Sequence, residues 1–168
     1  MDNTTGFYEM SLNRMKLYKK RKMEIYYIKS LDIAEKGKMI IINTLEGNVL
    51  VKADECNYIM IGKYNDVYPI SKELFDSKYE DVMGNIDHSI RLVAQSYNWN
   101  IEKIKKCRLV KESYVYAIQV NRDFKVYVKH CDSVIKGKKG DYYARSYEDP
   151  ENSYIIQQKI MENTYYLA

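Results

Sequence analysis

The chain repeats itself, and an internal repeat restricts a fold more than any single motif does. Residues 57–80 read Asn-Tyr-Ile-Met-Ile-Gly-Lys-Tyr-Asn-Asp-Val-Tyr-Pro-Ile-Ser-Lys-Glu-Leu-Phe-Asp-Ser-Lys-Tyr-Glu. Residues 141–166 follow the same pattern with a two-residue insertion. Tyr58 then aligns with Tyr142, Tyr68 with Tyr154, Ile70 with Ile156, Leu74 with Ile160, Phe75 with Met161 and Tyr79 with Tyr165. The segment starts align as well: Glu24-Ile25-Tyr26-Tyr27-Ile28-Lys29 lies against Tyr114-Val115-Tyr116-Ala117-Ile118-Gln119. Two blocks in the same order predict a duplication. The expected organisation is an N-terminal tail (1–16), a first repeat (17–80), a connector (81–106) and a second repeat (107–168).

Each repeat reads as a small β-rich unit. In the first, strands are expected over 23–28, 39–43, 49–52, 57–62 and 67–70, with turn chemistry at Leu45-Glu46-Gly47-Asn48 and Tyr64-Asn65-Asp66. Ser71 is placed to cap a turn of helix carrying Leu74 and Phe75. In the second, strands are expected over 114–120, 124–130, 133–135, 142–146 and 154–156, followed by a helical turn with Ile160 and Met161. The connector differs: Ile86, Ile90, Val93 and Tyr97 fall at helical spacing, with Asp87 or Asn85 as cap. Asn98-Trp99-Asn100 interrupts it, so two short helices or one bent one are expected. The fold class is α+β, mostly β: two similar small β-rich units, each of strands plus a short C-terminal helix, joined by a helical connector.

The repeat also accounts for much of an unusual composition, 18 Tyr against 3 Phe and 1 Trp. Thin β units leave most strands half wet, and tyrosine suits such places with a buried ring and a solvated hydroxyl. Tyr64, Tyr97 and Tyr147 lie outside the matched pairs. With Trp99 they are the candidates for a partner surface, although folding alone accounts for most of the tyrosines.

Several classes are set aside. No apolar run approaches the length of a membrane span, and residues 1–6 do not resemble a secretory leader. Cys56, Cys107 and Cys131 are too widely spaced for a disulfide framework or a zinc site. A reducing, cytoplasmic setting is the expectation, with no membrane partner, no metal and no cofactor. His130-Cys131-Asp132 joins a nucleophile to a base, but strand neighbours point to opposite faces. His88 reads as a surface histidine. The carboxylate pairs Asp54-Glu55, Glu80-Asp81 and Asp149 with Glu151 lie in turns, where acids are expected for other reasons. No phosphate-binding glycine loop or nucleophile elbow occurs, so the reading leans away from an enzyme.

The basic residues carry the strongest local signal. Arg14, Lys16, Lys19, Lys20, Arg21 and Lys22 place six cations within nine residues, with Leu17 and Tyr18 between them. Lys103, Lys105, Lys106, Arg108 and Lys111 form a second run at the start of the second repeat. Lys136, Lys138 and Lys139 form a third. Such cations neutralise phosphates without reading sequence. If all three runs share a face with tyrosines, a single-strand groove results. The competing reading is lysines that keep exposed strand edges from aggregating.

Short motifs carry a family resemblance. They are Lys16-Leu17-Tyr18-Lys19-Lys20-Arg21-Lys22-Met23-Glu24-Ile25, Thr44-Leu45-Glu46-Gly47, Asn57-Tyr58-Ile59, Val67-Tyr68-Pro69-Ile70-Ser71-Lys72-Glu73-Leu74-Phe75 and Lys78-Tyr79-Glu80. In the second repeat they are Lys139-Gly140-Asp141-Tyr142, Tyr154-Ile155-Ile156 and Thr164-Tyr165. Together they resemble small phage and prophage proteins of the PGDYG type, here in tandem, over about 120 of the 168 residues. The first repeat departs at the naming block, with Glu55-Cys56-Asn57-Tyr58. The resemblance implies a small β-rich module frequent in phage genomes and transfers no catalytic residue. The Gly140-Asp141-Tyr142 block reads as turn chemistry.

Three functions follow as expectations. The first is a non-enzymatic phage-type accessory protein binding a host or viral macromolecule, an inhibitor of host defence being one form. The second is a nucleic-acid-binding module using Arg14, Lys16, Lys19, Lys20, Arg21, Lys22, Lys105, Lys106, Arg108, Lys138 and Lys139 with exposed tyrosines. The third is a small hydrolase or nucleotide-handling enzyme in a groove between the repeats.

Overall fold

A computed structural model describes residues 6–129 and 132–168. The fold is α+β and mostly β, as expected. In chain order the elements are β1 (Lys16–Lys20), β2 (Glu24–Lys29), β3 (Met39–Thr44), β4 (Gly47–Lys52), β5 (Asn57–Ile61) and β6 (Val67–Ser71). Helix α1 (Lys72–Lys78) and strand β7 (Tyr79–Asp81) follow, then α2 (His88–Tyr97), β8 (Lys105–Leu109), β9 (Tyr114–Gln119) and β10 (Phe124–Val128). The chain closes with β11 (Ser133–Gly137), β12 (Tyr142–Ser146), β13 (Ser153–Ile156), α3 (Gln158–Thr164) and β14 (Tyr165–Leu167).

Two compact units result, and neither is a contiguous stretch. The leading unit comprises Lys22–Thr44 and Val49–Lys111. The trailing unit comprises the chain up to Arg21, Leu45–Asn48 and Glu112–Ala168. The leading unit holds a five-stranded sheet in the order β6-β5-β2-β8-β7, and the trailing unit one in the order β13-β12-β9-β1-β14. The strand pairings that build the two sheets are antiparallel. Place by place, β13, β12, β9 and β14 stand where β6, β5, β2 and β7 stand. The register agrees too: Tyr58 is paired with Ile70 and Lys29, and Tyr142 with Ile156 and Gln119.

The fourth place in each sheet departs from chain order. Strand β1 precedes β2 in sequence but pairs with β9 and β14. Strand β8 precedes β9 but pairs with β2 and β7. Exposed strand edges were one of two expectations for the basic residues of these segments, and Lys105 and Lys106 fell in the expected helical connector. Both segments are interior strands. Their side chains alternate between the core and the outer face, as in any strand: Cys107 and Leu109 face inward from β8, and Lys106 and Arg108, each one residue before them, face outward.

In the leading unit the core gathers Ile25, Tyr27, Tyr58, Met60, Phe75, Tyr79, Cys107 and Leu109. Phe75, on α1, lies 4.3 Å from the Tyr27 ring centroid and stacks on Tyr79 at 5.4 Å. Helix α1 starts at Ser71, whose Oγ accepts a hydrogen bond from Leu74 N at 3.1 Å, the cap its sequence foretold. The connector is two pieces, α2 and a 3₁₀ turn at Ile101–Lys103. Asn98 ends α2 in a left-handed conformation (φ 57°), which asparagine tolerates. Asp87 stands at the N-cap position, with no side-chain capping bond. Ile90 and Ala94 bury the inner stripe of α2.

In the trailing unit the core gathers Val115, Ala117, Ala144, Ile156 and Met161, with Tyr18, Tyr142, Tyr154, Ile160 and Tyr165 packed on it. The N-terminal arm is tied down here. Tyr8 N donates to Lys125 O at 2.9 Å, and the Tyr8 ring meets Phe124 at 5.4 Å and Tyr143 at 5.1 Å. The β10–β11 hairpin lies against β13.

Candidate nucleic-acid interface

The outer face of the trailing sheet is built from the residues that alternate away from its core. Tyr18 points inward from β1, so Leu17 and Lys19 point outward. Lys19 is paired with Tyr114 on one side and Tyr166 on the other, and Leu17 with Tyr116. Tyr147, just beyond β12, completes the group: its ring lies 5.4 Å from Tyr114 and 5.8 Å from Tyr116. Cations sit over these rings, Lys19 Nζ at 5.9 Å from Tyr114 and the Arg21 guanidinium at 5.0 Å from Tyr166. Tyr147 is 47% exposed and Tyr166 40%, so the aromatic row reaches solvent. Lys19 also forms an ion pair with Glu112, which holds its ammonium pKa above the usual lysine value.

The equivalent places in the leading sheet are filled differently. Glu24, Arg108 and Glu80 stand where Tyr114, Lys19 and Tyr166 stand. Arg108 Nη2 bonds Glu80 Oε1 at 2.6 Å, and Lys106 Nζ meets Glu24 Oε2 at 3.2 Å. Tyr26, in the row of Tyr116, is only 5% exposed, and its hydroxyl donates to Asn85 O at 3.4 Å. Glu24 and Glu80 thus stand on one sheet face where Tyr114 and Tyr166 stand on the other. Lys106 and Arg108, expected to bind phosphate, each form an ion pair with an acid of their own sheet, as Lys19 does with Glu112.

The remaining predicted residues are distributed as follows. Arg14, Lys16, Lys19, Lys20 and Arg21 belong to the trailing unit, with Lys138 and Lys139; Lys22, Lys105, Lys106 and Arg108 belong to the leading unit. Lys16, Arg21, Lys22, Lys105, Lys138 and Lys139 are exposed, and Lys20 is half-buried. Trp99 offers little surface at 8% exposure: it is buried, stacked on Tyr97 at 4.3 Å. The Tyr97 hydroxyl accepts a hydrogen bond from Asn43 N at 2.9 Å, so this pair braces the leading unit. Tyr64 sits exposed in the β5–β6 turn. His130 and Cys131 lie outside the described residues. Of the carboxylates, Glu55 pairs with Lys36 at 2.7 Å and Asp81 accepts from the Tyr27 hydroxyl at 2.7 Å.

Sequence reasoning missed a cleft of about 460 Å³ in the trailing unit, lined among others by Glu9, Arg14, Tyr143, Arg145, Glu151 and Ser153. Arg145 is fixed there by two hydrogen bonds, Nε donating to Pro150 O at 2.5 Å and Nη1 to Met10 O at 3.2 Å. Tyr143 is buried beside it, which pushes its phenol pKa up. These residues are distant in sequence, and no local spacing signals their meeting. Sequence reasoning also missed an apolar row on the outer side of the β3–β4 hairpin. Met39, Ile41 and Leu50 are each more than half exposed there, while Ile40, Ile42, Val49 and Val51 face the core. Comparison with protein-family models, with curated proteins and with solved structures finds no match for this chain.

Proposed function

We propose that this is a non-enzymatic binding protein that takes single-stranded nucleic acid on the outer face of the trailing sheet. The supporting observation is the row of Tyr114, Tyr116, Tyr147 and Tyr166 interleaved with Lys19 and Arg21. Rings accept bases of any identity by stacking, and cations between them follow the phosphates. The leading sheet serves as an internal contrast: Glu24 and Glu80 hold the places of Tyr114 and Tyr166, so these strand positions need not be aromatic for this architecture to form. The phage-type accessory role fits the motifs shared with PGDYG proteins, and the matched element order and register support descent from one duplicated module.

A second reading has its own observation. The outward row Met39, Ile41 and Leu50 is an apolar face of the kind that marks protein contacts, and a protein partner of host or virus could bind there.

One experiment addresses both. Retardation of a labelled single-stranded oligonucleotide is measured at rising salt for the full chain, for Tyr147→Ala, for Arg21→Ala and for Ile41→Lys with Leu50→Lys. Tyr147→Ala is expected to weaken binding by about 1–3 kcal/mol, the range for one lost stacking partner. Arg21→Ala is expected to flatten the salt dependence. The hairpin variant is expected to bind like the parent. Absence of retardation at low salt, or parental binding by the first two variants, contradicts the nucleic-acid reading.

A further inference from the structure

The crossed strands β1 and β8 occupy equivalent slots whose linings differ in size. In the trailing unit Tyr18 is paired with Val115, beside Ala117 and Ala144, which are themselves paired. Both alanines are fully buried. The Tyr18 ring packs against the cluster that contains them and meets Tyr142 edge-on at 6.2 Å. In the leading unit Cys107 holds the place of Tyr18. It is paired with Ile25, beside Tyr27 and Met60, which are likewise paired. Cys107 and Met60 are completely buried and Tyr27 nearly so. Where the lining is small the incoming side chain is large, and where the lining is large it is small.

A second difference runs the same way. Leu109 is paired with Tyr79, is 2% exposed and belongs to the core of the leading unit. The residue of β1 at that place is Lys20, paired with Tyr165 and half-buried. Moved into the leading sheet, β1 would press Tyr18 against Tyr27 and Met60 and push the Lys20 ammonium among apolar groups. Interiors are packed too closely for the first and too dry for the second. Moved into the trailing sheet, β8 would leave Cys107 above two alanines, with a void that nothing fills.

We propose that the two slots are keyed by side-chain volume and polarity, so that each sheet accepts the first strand of the other half of the chain and rejects that of its own. The exchange of strands is then written into the core, and recognition works by addition of a matched strand to a waiting slot. This inference rests on register and burial alone and stands apart from the nucleic-acid reading.

The test uses the full-length chain and conserves its composition. Tyr18→Cys is combined with Cys107→Tyr, so that the key residues trade places. The melting temperature is expected to fall by several degrees, since one core is voided and the other overfilled. Adding Ala117→Tyr, Ala144→Met, Tyr27→Ala and Met60→Ala trades the linings as well, and is expected to recover most of the loss. An interchange that melts like the parent overturns the keying, as does a six-residue exchange that melts no higher than the two-residue one. Should the interchanged chain fail to accumulate, the smaller cycle of Tyr18→Leu and Ala144→Val replaces it. There, losses that partly cancel support the keying, and losses that simply add overturn it.

Discussion

At the scale of single residues, Asp141 shows how a turn motif becomes structural. Gly140 adopts φ 100°, a conformation glycine enters freely. Asp141, 9% exposed, then bonds two backbone groups: its Oδ2 accepts from Lys138 N at 3.0 Å and its Oδ1 from Gln158 N at 3.0 Å. The second bond stands in for a helix cap. Gln157 occupies the place held by Ser71 in the leading unit and makes no capping bond, so the first turn of α3 takes its acceptor from a residue distant in sequence. Asp141→Ala strands both donors and is expected to cost about 1–3 kcal/mol for each that stays buried. Ser71→Ala removes one local cap and should cost about 1 kcal/mol. Chemical denaturation of the two variants checks the order. The turn role of Asp141 was legible in Gly-Asp-Tyr; its second bond was not, because nothing local links residue 141 to residue 158.

The tyrosines make a prediction at the same scale. Burial pushes the phenol pKa values of Tyr8, Tyr26, Tyr27, Tyr58, Tyr142 and Tyr143 upward, and for Tyr27 the Asp81 carboxylate adds to it. A pKa raised on folding means that the unfolded chain gives up its proton first. The associated stability is therefore complete below the unfolded value, near 10, and is lost as pH rises through the folded values. The melting temperature should decline steeply above about pH 10. Phenolate absorbance should show a late-titrating group that appears only with unfolding. Titration of every tyrosine as one ordinary population in the folded protein contradicts this.

At the scale of elements, the sequence was most readable where periodicity is local. The hairpin strands β3, β4, β10 and β11, and the β5–β6–α1 and β12–β13–α3 runs, alternate or cap as short-range rules require. Strands β1 and β8 were harder. Lys-Leu-Tyr-Lys-Lys and Lys-Lys-Cys-Arg-Leu carry too many charges to display an apolar alternation, and their place inside a sheet depends on partners far along the chain. The candidate interface was legible in part for the same reason. The cations and Tyr147 were singled out, but the row itself exists only once Lys19 stands between Tyr114 and Tyr166. Trp99 was misjudged because a lone tryptophan in a polar stretch reads as exposed, whereas Asn98 turns the chain so that it stacks on Tyr97.

At the scale of the whole molecule, the two units share one plan with different surfaces. Tyr58 and Tyr142, and Tyr79 and Tyr165, hold matched places, while the outer faces diverge: acids stand among the cations of one sheet and tyrosines among those of the other. The plan depends on the crossing of β1 and β8, and so does the outer row of tyrosines, because Lys19 and Leu17 reach it only from β1. Cross-strand nuclear Overhauser contacts in isotopically labelled protein test that crossing most directly. The account predicts contacts from the backbone of Leu17, Tyr18 and Lys19 to Tyr114, Val115 and Tyr116, and from Tyr18 and Lys19 to Leu167 and Tyr166. Contacts from the same residues to Glu24, Ile25 and Tyr26 instead would place β1 in its own half and contradict it.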